Sequence, residues 1–227
     1  MLGFLRRQWI LVCIAVLACG WLIAFPLWSQ WVTAEPLRAP ILLAPAGSVE
    51  ANIQIRVAET HSLSFLFERD GIPFANLQAI IGAMGMCKVG EVCSKGVPVP
   101  ISWSLAPRGQ DKLVAAGDTV TSDSTGWSQE HVYRLISRVR VPPGQYVFKA
   151  EVLRPVPELS GVRTSIALQI EPKATSTWQL GLVWWGTAAT YLVVLPVAVC
   201  LGGVLVWRAG RTLRSSRRAT ADAVARG

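Results

Sequence analysis

The sequence predicts a mainly β protein: an immunoglobulin-like antiparallel β-sandwich with one short helix, flanked by two transmembrane α-helices. Three observations predict it. Two long uncharged runs stand near the ends of the 227-residue chain. Apolar and polar residues alternate through most of positions 37–172, and turn-forming residues cut that stretch into short segments.

The uncharged runs come first, because they decide where the rest of the chain resides. No charged side chain occurs at positions 8–34 or 174–207. A helix needs about 20 predominantly apolar residues to cross a bilayer. "QWILVCIAVLACGWLIAFPLW" and "LGLVWWGTAATYLVVLPVAVCLGGVLVW" both reach that length. The spans are placed at residues 8–31 and 180–207, with a linker and first strand at 32–47 and a second linker at 173–179. Trp9, Trp28 and Trp31 bracket the first span, and Trp178 and Trp207 the second, where indole rings favour the headgroup zone. Trp21 and Trp185 fall inside the runs and are expected to pack within the helices. Pro196 is expected to kink the second helix, while Gly186, Ala198, Gly202 and Gly203 permit close helix packing.

Orientation follows from charge. A basic tail, residues 1–7 with Arg6 and Arg7, precedes the first span, and an Arg-rich tail, residues 208–227, follows the second. These flanks carry +7 of the net charge of +8, whereas the segment between the spans holds 14 basic and 13 acidic residues. Basic flanks stay in the cytoplasm. Both termini are therefore expected inside a bacterial inner membrane, with residues 48–172 in the periplasm. Arg208, Arg211, Arg214, Arg217 and Arg218 form a cluster suited to anionic membrane lipid. The folded segment has no basic excess with which to hold nucleic acid. The first run is longer than the core of a secretory signal, so it reads as an uncleaved anchor despite the small residues ending at Ala34.

Three of the five cysteines, Cys13, Cys19 and Cys200, lie inside the spans, where a thiol is a small apolar side chain. Cys87 and Cys93, in "MCKVGEVC", belong to the outward segment. Disulfides persist in oxidising compartments such as the periplasm, so this pair reads as a bridge, contributing about 2 kcal/mol by closing a short loop. A redox pair is another reading. Met84, Met86, His61 and His131 offer further metal donors but no ligand spacing. No metal or cofactor is expected.

Alternation then marks the strands. In "VEANIQIRV", Val49, Ala51, Ile53, Ile55 and Val57 alternate with polar residues, which is the period of a half-buried strand. "HSLSFLFE" and "VPVPISWSL" repeat it, and "HVYRLISRVRV", "QYVFKAEVLR" and "VRTSIALQI" follow. Breakers stand at "RDGIP", "PRGQD", "TSDSTG" and "PPGQ". One stretch changes period: Phe74, Leu77, Ile81 and Met84 make a helical stripe, so a short helix is expected to end near Gly85. The strands on either side of "PPGQY" are expected to pair as a hairpin. Pro143 would take the first position of a type II turn, and Gly144 the position that needs a positive φ.

The closing residues carry a likeness. Pro143, Gly144 and Tyr146 form a Pro-Gly-x-Tyr turn, and Pro157, Glu158, Leu159 and Gly161 a Pro-Glu-Leu-x-Gly segment. "VPPGQYVFKAEVLRPVPELSGVRTSIAL" resembles the end of an uncharacterised bacterial family, the domain-of-unknown-function family 5625. The likeness is concentrated in residues 141–171 and extends over 48–171. It implies a β-rich fold and a bacterial envelope setting, and it brings no catalytic residues.

Little in the chain points to catalysis. His61 and His131 each open a strand, an ordinary place for a polar residue. His131 with Ser124, Ser128 and Asp123 would supply base, nucleophile and acid, yet no G-x-S-x-G sequence accompanies them. No ionisable residue interrupts either span. The expected function is binding, by a membrane-anchored periplasmic accessory module that contacts another envelope protein. One form is an immunity-type protein that blocks a toxin, and no enzymatic activity is expected. One alternative is a small-ligand or metal-binding domain or hydrolase with a site near His61 and His131. Another is a structural subunit of a larger membrane complex.

Overall fold

The computed structural model describes residues 9–82, 95–110, 112–171 and 176–224. The chain divides into two units, residues 33–177 and residues 1–32 with 178–227. The helices are α1 (Trp9–Thr33), α2 (Phe74–Ile81), α3 (Trp178–Ala189) and α4 (Leu195–Val224), the last two continuous through a wide turn at Thr190–Val194.

Residues 33–177 are mainly β. The described strands are β1 (Leu37–Pro40), β2 (Ser48–Ile55), β3 (Thr60–Glu68), β4 (Val99–Pro107), β5 (Ala115–Thr121), β6 (Gly126–Trp127), β7 (His131–Arg140), β8 (Gly144–Val152) and β9 (Thr164–Ile170). They form two antiparallel sheets, ordered β1-β9-β3-β7-β6 and β2-β8-β4-β5. The alternation explains the core. Leu63, Phe65 and Phe67 of β3 join Ile101, Trp103 and Leu105 of β4 and Phe148 and Val152 of β8 in one hydrophobic cluster. β5 and β6 have no matching pattern in the sequence. β5 is held by its pairing with β4, where Gly117 lies under the Trp103 indole.

α2 buries Leu77 and Ile81 in this cluster, as its stripe requires. It ends at Ile81 rather than near Gly85, because Gly82 takes φ 101°, a left-handed value that stops a helix and suits glycine. Met84, Gly85, Cys87 and Cys93 lie outside the described residues.

The expected hairpin at "PPGQY" is not formed. β7 pairs with β3 and β6 in one sheet, whereas β8 pairs with β2 and β4 in the other. The chain changes sheets at Pro142 and Pro143, which have no N–H to continue a ladder. The Tyr146 hydroxyl donates to Pro142 O at 2.8 Å and fixes the corner. Burial raises the phenol pKa, which keeps it a donor. Gly144 has no positive φ and begins β8 opposite Ile55. A Cβ at Gly144 would lie 3.3 Å from the Tyr146 ring, so close approach is what requires glycine here.

Both ends of this unit leave side by side. β1 pairs with β9, with Leu37 opposite Leu168. Gln169 Nε2 donates to Glu35 Oε1 at 2.7 Å, and the Glu171 amide donates to Thr60 O at 3.0 Å.

Two helical segments are long and apolar enough to cross a membrane: α1 (25 residues) and Trp178–Arg208 (31 residues). Within this unit Trp21 stacks on Phe25, with centroids 5.0 Å apart, and its indole N–H donates to Thr190 Oγ1 at 2.8 Å. A Cβ on Gly186 would lie 2.4 Å from the Phe25 ring, so glycine lets the helices close there. Gly202 and Gly203 meet nothing within 4 Å. Trp185 is 78% exposed and does not pack within the helices. The wide turn immediately precedes Pro196, whose missing N–H disrupts the regular ladder.

Candidate functional site

β3 runs the length of its sheet and separates two polar stations. At its start, beside the exit of both chain ends, Glu59 and His61 are buried, at 3% and 1% exposure. Glu59 Oε1 accepts from the Ser176 hydroxyl at 2.5 Å and from the Thr60 amide at 3.0 Å. Burial raises the Glu59 carboxyl pKa, but the Ser176 and Thr60 bonds and the nearby Arg140 charge outweigh it, so the group sits below the ordinary carboxylate value. His61 Nδ1 bonds Glu59 O at 2.8 Å. Burial lowers the His61 pKa, against smaller opposing effects of the Glu59 carbonyl and charge.

At the other end of β3, Glu68 faces His131 on β7. His61 and His131 are therefore seven positions apart along one strand, about 23 Å at strand rise, and do not share a pocket. The His131 ring is already engaged. Arg38 donates to Nε2 at 2.7 Å, so Nε2 is the acceptor and Nδ1 carries the proton, facing Glu130 Oε2 at 3.9 Å. Arg38 is on β1, so this bond spans the intervening β9 and β3. Ser128 bonds the His131 main chain rather than its ring, Ser124 donates to Gly82 O at 2.7 Å, and Asp123 accepts from Ser122. The conceivable nucleophile–base–acid set is not assembled.

Among the described residues, three concavities lie on this face and its far end. The largest, about 600 Å³, is bounded by Glu68, Asp70, Gly71, Pro73, Gln129 and Glu130. Its rim is the tight turn at Asp70 (φ 31°) and Gly71 (φ 80°), with Arg163 at 3.4 Å from Asp70. A second, about 400 Å³, lies by Arg38, His131 and Gln169. A third, about 460 Å³, follows the outer face of β3 and β7 past Trp127. Among the described residues, no group of three or more His, Cys, Asp or Glu side chains could hold a metal ion.

Beneath these concavities lies a residue that sequence reasoning missed. Arg134 is completely buried. Its guanidinium donates to Val97 O at 2.8 Å, to Thr121 O at 3.2 Å and to Ile81 O, and stands 5.2 Å over the Phe67 ring. It thereby ties the end of α2 to the approaches of β4 and the end of β5. Burial lowers its pKa to about 10, partly opposed by the Asp123 charge, which leaves it protonated at neutral pH. The signal was present: Val132, Arg134 and Ile136 share the inward face of β7. Glu59 and Arg38 had no such mark.

Of the five arginines expected to meet membrane lipid, Arg208 is exposed and Arg211 stands 3.9 Å over the Trp207 ring. The side chains of Arg214, Arg217 and Arg218 lie outside the described residues. Pro143, Gly144 and Tyr146 make the inter-sheet corner already described.

No curated protein matches the chain. A crystal structure from Sulfurospirillum deleyianum is similar to it, at 18% identity over 61% of this chain and 98% of that one, with a TM-score of 0.48. The family described as a domain of unknown function, DUF5625, matches residues 38–170. That match takes in both sheets, α2, the Pro-Gly-x-Tyr corner and the Arg134 clamp, and covers more than half of the sequence: the chain belongs to the DUF5625 family.

Proposed function

We propose that this protein is a two-pass inner-membrane protein whose β-unit faces the periplasm and binds another envelope protein there. One form of this function is an immunity-type protein that neutralises a toxin. The observation that carries the reading is the pairing of β1 with β9, which brings both ends of the β-unit out at one edge. Two adjacent exits suit a unit tethered twice to one surface. The largest concavity begins at Glu68, eight residues along β3 from Thr60 and hence about 26 Å from those exits. That concavity is the end we assign to the partner.

The basic flanks support the orientation, and an oxidising compartment would make Cys87 and Cys93 a disulfide. The fold proposed is a β-sandwich with immunoglobulin-like inner strands. In its support, β3, β7 and β6 are neighbours in one sheet and β5, β4 and β8 in the other, and a tyrosine corner marks the crossing. β2 and β9 are exchanged relative to the immunoglobulin order, each lying on the sheet where the other belongs.

The test is photocrosslinking in intact cells from a reactive residue at exposed Gln129, beside the large concavity, and from exposed Gln54 on β2. A discrete adduct with the same envelope protein from Gln129 but not Gln54 is expected. Adducts with none, or equally from both, would refute the proposed partner-facing end. Labelling of Cys87 and Cys93 by an impermeant thiol reagent only after reduction tests the compartment and the bridge together.

A further inference from the structure

We propose that the groove running past Trp127 on the outer face of β3 and β7 is a saccharide site, holding one neutral pyranose ring of a glycan. This goes beyond protein binding and does not depend on it. The groove, about 460 Å³, is lined by Ser62, Ser64, Trp127, Tyr133, Arg138 and Glu171 among others. Trp127 is 59% exposed, yet it is braced. Its ring lies 5.5 Å from Phe74 of α2, and the Arg69 guanidinium stands 5.5 Å over Phe74 on its own account. An exposed indole held in this way is a preformed platform for an apolar ring face.

Of the polar groups lining the groove, the Ser62, Thr125 and Ser128 hydroxyls donate to main-chain carbonyls and others are open. Among the described residues, the Trp127 indole N–H, the Tyr133 hydroxyl and the Ser64 hydroxyl have no hydrogen-bond partner. At the groove's end Arg138 Nε and Glu171 Oε1 are 2.7 Å apart. Their charges cancel, so the site offers donors and acceptors in one place without net charge. That combination suits vicinal hydroxyls, which both donate and accept, and disfavours a phosphate or a free carboxylate. A pyranose presents an apolar C–H face and a hydroxyl rim, matching an aromatic wall over a floor of short hydroxyl side chains. An extended peptide pairing with β7 beyond the two-residue β6 is the competing occupant, and it would not need the indole face.

The test uses the full-length chain in detergent with three neutral probes: cellotetraose, maltotetraose and tetraacetylchitotetraose. Saturation-transfer NMR detects contact, and calorimetry measures affinity. At least one probe is expected to bind with a Kd below about 1 mM. Trp127→Ala should weaken it about tenfold or more, and Tyr133→Phe, which removes only an O–H, by about threefold. Leu113→Ala, an exposed change elsewhere, should leave it unchanged. Tyr133→Phe should melt like the parent, since its hydroxyl is unpaired, and Trp127→Ala, which gives up the Phe74 contact, should stay folded with a slightly lower Tm. No contact with any probe at about 10 mM, or binding that Trp127→Ala and Tyr133→Phe leave intact, would overturn the proposal.

Discussion

Replacing Arg134 by methionine keeps the length of the side chain and removes its charge and donors, so it isolates what the buried guanidinium contributes. Three carbonyls, of Ile81, Val97 and Thr121, would lose their donor in a site closed to water. Each orphaned carbonyl costs about 1–3 kcal/mol, so about 6 kcal/mol is the middle of the range for three. Against this, the variant no longer buries a charge. The fall of the Arg134 pKa from 12.5 to about 10 corresponds to about 3 kcal/mol. The expected net destabilisation is therefore about 3 kcal/mol. For a unit of this size that lowers Tm by about 10 °C. Near-UV circular dichroism of the full-length protein in detergent would follow the β-unit, while the far-UV helix signal serves as the control for the spans. Arg134→Lys should be nearly as harmful, because one ammonium group cannot serve acceptors arranged around a planar fork. A methionine variant melting within about 2 °C of the parent would mean that the three carbonyls find other partners and that the clamp does not hold α2.

Tyr146→Phe removes the bond to Pro142 O and should destabilise the β-unit by about 1 kcal/mol, measured by urea unfolding, without changing which strands pair. Acid should weaken the β-unit in two stages, seen as a fall in Tm with pH. His61 is held neutral in the fold, so the unfolded chain binds its proton first, and stability falls as pH drops below about 6.5. The Glu59 pKa is also lowered, so a second decline should begin below about 4.5 as the unfolded carboxyl protonates first; Glu59→Gln should shrink that stage and, by removing a charge that favours His61 protonation, deepen the first. In the helical unit, Gly186→Leu would drive a side chain into the Phe25 ring. It should reduce severalfold the disulfide yield between cysteines placed at Trp28 and Trp178, whose rings are 6.4 Å apart, whereas Gly202→Leu should not.

How far the fold was legible depends on whether its cause is local. Alternation placed β3, β7 and β9 nearly to the residue, because each turns alternate side chains into the core and the period of two follows from that. Pairing is not written in the same pattern. A hairpin and an inter-sheet crossing demand the same apolar positions from β7 and β8, so "PPGQY" reads as a turn either way. What separates the two is the reach of the Tyr146 hydroxyl back to Pro142 O, a contact that only the crossing gives a purpose. The groove was illegible for a related reason: Ser64, Trp127, Tyr133 and Glu171 meet only once β3, β6, β7 and the end of β9 are assembled. Arg134 is the opposite case. An arginine between Val132 and Ile136 on an inward face violates the pattern on both sides, and a chain tolerates such a violation where the charged end is held, as both terminal nitrogens of Arg134 are, although its Nε is buried without a partner. The misfit was therefore the most informative single position in the strand. It marks where backbone carbonyls from the end of α2, the approach to β4 and the end of β5 converge, and the charged fork answers all three at once.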